Sequence, residues 1–180
     1  MVVLGIDPSS TSTGYGLIAT GRPRHQYVDC GCIRPPAAVA FEDRLAFIYD
    51  GLRKVIGAAA PDQVAMESTF FGKDARAAAK LGEARGVLVL AVRQAGLPLA
   101  HYSPAQVKKS VVGRGRATKE QVKFMTARLL GLDDLPRPLD ASDALAVALC
   151  HLHQPGLGLP QQGRPRPPEI EALLRRVRRR

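Results

Sequence analysis

VVLGIDPSSTSTGYGLIA, residues 2–19, joins an apolar run to an acid, a turn-rich link and a second apolar run. Val2 to Ile6 is rich in β-branched residues and stops at Asp7-Pro8, which predicts a buried strand ending at an acid. Ser9 to Gly14 is a link of turn-forming residues, and Tyr15 to Ala19 predicts the next strand. Gln26 to Ile33 predicts a third, so the three form an antiparallel meander.

Further along, the period changes. Phe41, Leu45, Ile48, Leu52, Val55 and Ile56 recur at helical spacing within 41–59, and Pro61 breaks that helix. Gln63 to Glu67 predicts a short strand that again ends at an acid. The Ala-rich segment 74–95 predicts a long helix that Gly96 can cap. Leu99 to Tyr102 predicts a brief strand, and Ser103-Pro104 an N-cap followed by Pro at the first helical position. Helices over 105–112, 118–130 and 140–153 follow, the first two separated by the loop Gly113-Arg114-Gly115-Arg116. This order predicts an α/β fold: a mixed five-stranded sheet, the meander plus parallel strands, flanked by helices. Residues 1–154 are expected to form one domain. From Pro155, PGLGLPQQGRPRPP reads as a linker, and EIEALLRRVRRR as a basic tail. The tail is either disordered or a short amphipathic helix with Ile170, Leu173, Leu174 and Val177 on one face.

The chain has 180 residues, enough for one domain with a real core, and 46% of them are hydrophobic, too many for a chain disordered throughout. Its 26 Lys+Arg against 16 Asp+Glu give a net charge of +10, which favours a polyanion partner and excludes an acidic, calcium-buffer type of protein. The charge is uneven. Residues 155–180 hold seven Arg and two Glu, a net of +5, and residues 108–128 hold seven basic residues and Glu120, a net of +6. Together these carry +11, so the remainder sums to −1. Cys30, Cys32 and Cys150 cannot all pair and are expected to be reduced thiols in a cytoplasmic protein. Cys150, His151 and His153 lie close together but lack a fourth metal ligand, so helix packing is their preferred reading. MVVLGID has no basic start, and no apolar run approaches about 20 residues, so neither a signal peptide nor a membrane partner is expected.

Four acids stand out. Asp7 and Glu67 end predicted strands, where residues reach a ligand cleft, and Asp140 and Asp143 share a helix face. Such carboxylates gather only around cations, and hard oxygen donors suit Mg²⁺ or Mn²⁺. Two ions about 4 Å apart would stabilise both the attacking and the leaving oxygen of an in-line phosphoryl displacement. Taken singly, Asp7 can begin a turn, Asp140 can be an N-cap, and Asp143 can answer the helix dipole. Composition and spacing stop at a divalent-metal site in a nucleic-acid-binding protein.

GIDPSSTSTGYGLI at 5–18, MESTFF at 66–71, AAKLGEARGV at 78–87, PAQVKKSVVGRGRATKEQV at 104–122 and DASDALAVALCH at 140–151 resemble, in order and spacing, the RuvC family of Holliday junction resolvases. The resemblance implies an RNase H-like fold and a homodimer that nicks two strands of like polarity at a four-way DNA junction. It implies two Mg²⁺ per active site, replaceable by Mn²⁺, on a catalytic tetrad of Asp7, Glu67, Asp140 and Asp143. Some relatives carry His at the third position, whereas this chain keeps Asp140. Lys108 and Lys119 match lysines near the scissile phosphate, and Phe70 an aromatic that stacks on an unpaired base; Phe71 reads rather as core or dimer interface. Arg114 and Arg116, with Lys73, Arg76 and Lys80, are further expected DNA contacts; for Lys108 and Lys119 the alternative is a solvated helix-surface lysine. The family works with the RuvA–RuvB branch-migration complex. The alternatives are another RNase H-like metal-dependent nuclease, acting for example on RNA–DNA hybrids, or a non-catalytic junction-binding protein. A two-lobed actin-like ATPase, whose first phosphate loop GIDPSSTSTG resembles, does not fit in 180 residues.

Overall fold

β1 (Val2–Asp7) is buried on both faces, which is why its sequence is a continuous apolar run rather than an alternation. A computed structural model describes residues 1–68, 74–135, 139–155 and 165–178. β1 pairs antiparallel with β2 (Thr13–Ala19), which pairs antiparallel with β3 (Gln26–Ile33). On its other edge β1 pairs in parallel with β4 (Gln63–Glu67), and β4 with β5 (Leu99–Tyr102). The strand order is β3-β2-β1-β4-β5, the expected meander plus parallel strands. β2 begins at Thr13, two residues before the predicted start, because Thr13 and Gly14 still pair with Ile33 and Cys32.

Two helical layers enclose the sheet. α1 (Phe41–Ala59) and α2 (Ala75–Gln94) cover one face, where Leu4, Ile6 and Met66 meet Ile48, Leu52 and Leu88. α3 (Pro104–Val112), α4 (Lys119–Leu130) and α5 (Leu139–Leu152) cover the other, where Val3, Ile18 and Ala65 meet Leu145 and Leu149. Each fully buried aliphatic side chain contributes about 1.5–3 kcal/mol. Helix boundaries follow local chemistry. Asp74 caps α2, and Ser103 with Gln106 and Thr118 with Gln121 form capping boxes on α3 and α4.

α5 lies directly on the sheet because glycine leaves room for it. A Cβ at Gly5 would sit 2.1 Å from the Ala144 carbonyl oxygen, and one at Gly14 would sit 2.1 Å from that of Asp140. Gly14 is the register partner of Asp7, so this close approach brings the first turn of α5 to the end of β1.

Residues 165–178 pack on the same domain. α6 (Pro168–Arg178) sets Ile170 against the α1–α2 side of the core, and Arg166 makes a buried ion pair with Asp62. Residues 156–164, in the expected linker, and the side chains of Leu173, Leu174 and Val177 lie outside the described residues. Among the described residues no helix is long and apolar enough to cross a membrane. Cys30, Cys32 and Cys150 are free thiols.

Candidate active site

Side chains alternate along a strand, so Asp7 shares the face of Val3 and Gly5, and Glu67 the face of Ala65, both toward α5. Asp7 and Glu67 each stand one position beyond Ile6 and Met66, the last paired residues of the parallel ladder. Asp143 reaches the same place from α5. These three acids line one cleft of about 310 Å³ with Lys108 of α3, Lys119 of α4 and the apolar Pro104, Val107, Val122 and Ala146. Lys119 Nζ lies 4.0 Å from Asp143 Oδ2 and its side chain is 85% exposed, a loose pair that adds little stability.

The acids are only partly compensated within the chain, and Asp7 least of all. Burial pushes the Asp7 carboxyl up, to about 8, and the charges of Glu67, Asp143 and Asp140 push the same way. Glu67 is raised by burial and by Asp143, while its hydrogen bond with Asp7, Lys119 and Lys108 pull it back. That bond raises Asp7 and lowers Glu67. Burial also raises Asp143, against the opposing pull of Lys119. Among the described residues no three Asp, Glu, His or Cys side chains are placed closely enough to hold a metal ion as they stand. Three of the carboxylates, Asp7, Glu67 and Asp143, line the open cleft. An all-oxygen donor set with neither His nor Cys fits a hard divalent cation.

Asp140 is placed differently. Three residues along a helix leave side chains about 60° apart around its axis. Asp143 faces the cleft, while Asp140 Oδ2 accepts a hydrogen bond from Ser12 Oγ at 2.6 Å, with Cys32 Sγ 3.9 Å away. Asp140 lies within α5 rather than at its N-cap, and its charge still reaches Asp7 and Asp143. Ser12, Cys32 and Arg34 were not singled out by the sequence; the only signal was a hydroxyl-rich link between a strand-end acid and Gly14.

The family model described as crossover junction endodeoxyribonuclease RuvC matches residues 3–151. This chain belongs to the RuvC family. A RuvC of Pelobacter propionicus is 51% identical over 153 residues, which are 85% of this chain and 86% of that relative. One of Pelotomaculum thermopropionicum is 45% identical over 153 residues, covering 85% of this chain and 93% of the relative. Among solved structures, Thermus thermophilus RuvC in complex with Holliday junction substrate superposes with a TM-score of 0.80 at 35% identity, covering 85% of this chain and 93% of that one. The yeast mitochondrial Holliday junction resolvase Ydc2, with a TM-score of 0.63 and 11% identity over 84% of this chain and 77% of its own, shares the fold. The RNase H-like fold expected from the RuvC resemblance is the one present.

The remaining RuvC-like positions divide by place. Lys108 and Lys119 are in the cleft, and Arg114 and Arg116 are exposed on the loop between α3 and α4 that joins them. Arg76 is exposed in the first turn of α2. Lys80 Nζ lies 5.5 Å from the Phe41 ring centroid, a cation–π contact between α2 and α1. Phe70, Phe71 and Lys73 lie outside the described residues. Cys150 is fully buried, and His151 bonds Tyr102 Oη through Nδ1 and Gln63 Oε1 through Nε2, each at 2.7 Å. Gln63 Oε1 only accepts, so Nε2 carries the proton and Nδ1 accepts from tyrosine: a neutral core histidine, as its packing reading expects.

Proposed function

We propose that this crossover junction endodeoxyribonuclease resolves four-way DNA junctions by nicking two strands of like polarity symmetrically, with Asp7, Glu67, Asp140 and Asp143 as its catalytic, metal-binding carboxylates. The observation that carries this reading is the cleft where Asp7, Glu67 and Asp143 converge, only partly compensated, beside Lys108 and Lys119. Mg²⁺, two ions per site and replaceable by Mn²⁺, would be held by these four acids and would supply an activated water and charge neutralisation at the leaving 3′ oxygen. Lys108 and Lys119 hold the scissile phosphate and offset the charge that grows on its oxygens. Arg114 and Arg116 grip the flanking backbone, with Lys73, Arg76 and Lys80 as outer contacts. Phe70 stacks on an unpaired base at the crossover, a contact worth about 1–3 kcal/mol. The water oxygen bonds to phosphorus as the P–O3′ bond breaks, leaving a 5′-phosphate and a 3′-hydroxyl that a ligase can join.

Two symmetric nicks need two sites, so the working unit is a homodimer. α2 supports this: Leu90 is 50% exposed, and a Cβ at Gly82 or Gly86 would meet nothing within 4 Å, so a partner helix can approach closely. The dimer acts in the cytoplasm on junctions delivered by the RuvA–RuvB branch-migration complex. Synthetic four-way junctions with mapped nick positions test the reading. Paired, Mg²⁺-dependent nicks are expected, together with Asp7→Asn protein that binds junctions without cutting them. Full cleavage by Asp7→Asn, or a preference for RNA–DNA hybrids, would overturn it.

A further inference from the structure

Of the four acids, Asp140 is the one outside the cleft lining, and its surroundings are built rather than open. Ser12 precedes β2 and Arg34 follows β3, and the adjoining Thr13 and Ile33 are register partners. Both residues therefore leave the same end of the meander, under the first turn of α5. Ser12 Oγ lies 2.6 Å from Asp140 Oδ2, and Arg34 Nε donates to Ser12 Oγ at 3.1 Å.

The donor inventory gives this chain a direction. A guanidinium can only donate, so Ser12 Oγ accepts from Arg34. A hydroxyl has one hydrogen and a carboxylate only accepts, so that hydrogen points to Asp140. The cationic donor polarises the hydroxyl and strengthens the second bond. The backbone end is held too, since only glycine fits at position 14 beneath the Asp140 carbonyl.

We propose that Ser12 is a positioning residue for Asp140, and that Arg34 sets the direction of the Ser12 hydroxyl. The inference rests on reading Asp140 as a metal ligand. Ser12 and, more weakly, Cys32 both donate to Oδ2, which leaves Oδ1 the freer oxygen for a cation and restrains the carboxylate's rotation. A carboxylate free to rotate would lose that freedom on each binding event, and outer partners of this kind typically change metal affinity or activity by about 10–100-fold.

The test is Mn²⁺ binding to the full-length protein without DNA, followed by the electron paramagnetic resonance of free Mn²⁺, alongside junction cleavage. Ser12→Ala is expected to weaken Mn²⁺ binding about tenfold and to lower kcat similarly at unchanged KM. Ser12→Thr, which keeps the hydroxyl, restores both. Arg34→Met, at an exposed position, weakens both in the same direction by less, and it keeps the test open if Ser12→Ala folds poorly. Ser12→Ala protein that melts normally and binds Mn²⁺ within about twofold of wild type overturns the proposal, as does a Thr variant no better than Ala. Wild-type protein that fails to bind Mn²⁺ would strike the metal reading itself and this inference with it. Normal binding by wild type and Ser12→Ala alike strikes the inference alone.

Discussion

Asp62 and Asp7 sit at opposite ends of β1 and meet opposite treatment. Asp62 Oδ2 accepts from the Val2 N–H at 2.7 Å and pairs with Arg166, whose side chain is 8% exposed against 1% for Asp62. The Asp62 N–H donates back to the Val2 carbonyl at 2.8 Å. Asp7 has three other acids around it instead. At one end the chain supplies its own counter-ion from a segment beyond the family match, and at the other it withholds one. Withholding a counter-ion costs stability and leaves a place for charge from outside, which is how a site differs from a strut.

Asp7→Asn breaks the contrast from the site end and carries the largest expected effect. Asn keeps a donor for Glu67 and relieves the cost of burying an ionisable carboxyl among three other acids. Cleavage falls by on the order of 10³-fold or more, because the remaining groups act as a unit with the lost one. The metal-free variant melts higher than wild type, by a few degrees for each ~1 kcal/mol of that cost relieved. Scanning calorimetry in chelator reads the second effect, and an unchanged or lowered melting temperature would mean that Asp7 is already compensated. Arg166→Ala breaks the contrast from the other end. It leaves the buried Asp62 charge with the Val2 N–H alone, a loss of about 3 kcal/mol. Nick positions stay unchanged, since Asp62 lies a full strand away from the cleft. Deleting 155–180 has the same destabilising consequence and in addition weakens DNA binding at moderate salt.

Most of the fold was legible because it is written locally. Ser103-Pro104 and Thr118 mark helix starts by chemistry that acts within three residues, and the α1 pattern ends at Pro61. The convergence of Asp7 with Glu67 was legible too, since both end strands on one face. The split of Asp140 from Asp143 was not. Shared spacing says that two residues lie on one side of a helix, but the last 60° or so is decided by the partner each side chain finds, and Ser12 is far away in sequence. The docking of Arg166 on Asp62 was hidden for the same reason: composition around 155–168 reads as linker, and a single long-range ion pair leaves no periodic trace.

The pH dependence of stability sharpens the comparison next. Asp7, Glu67 and Asp143 have raised folded values, so each contributes stability that is complete below the ordinary carboxylate range and is lost as pH rises through the folded value, about 8 for Asp7. His25, His101 and His151 are lowered from 6.5 by burial, so their contribution is complete above that value and is lost as pH falls below it. Between pH 6.5 and 8 Asp7 is the group among these whose value places its loss in that window. The metal-free protein is expected to melt lower at pH 8 than at pH 6.5, the slope flattening in Asp7→Asn and on adding Mg²⁺. A flat wild-type profile in chelator would sink the claim that the cleft acids are only partly compensated.

The smallest effect separates two arginines of equal charge. Arg116 is exposed near the cleft, whereas Arg166 is neutralised by Asp62 at the far end of the sheet. A cation contributes to the salt dependence of DNA binding only if it replaces counter-ions on a phosphate, about one unit of slope for each contact. Arg116→Gln should therefore reduce the slope of log affinity against log salt by about one, with stability within ~0.5 kcal/mol of wild type and the nicks unmoved. Arg166→Ala should leave the slope alone while lowering the melting temperature. Binding curves for both variants at several salt concentrations would measure this. A slope change in Arg166→Ala equal to that of Arg116→Gln would mean that the ion pair opens on DNA and that the tail changes partners from Asp62 to phosphate.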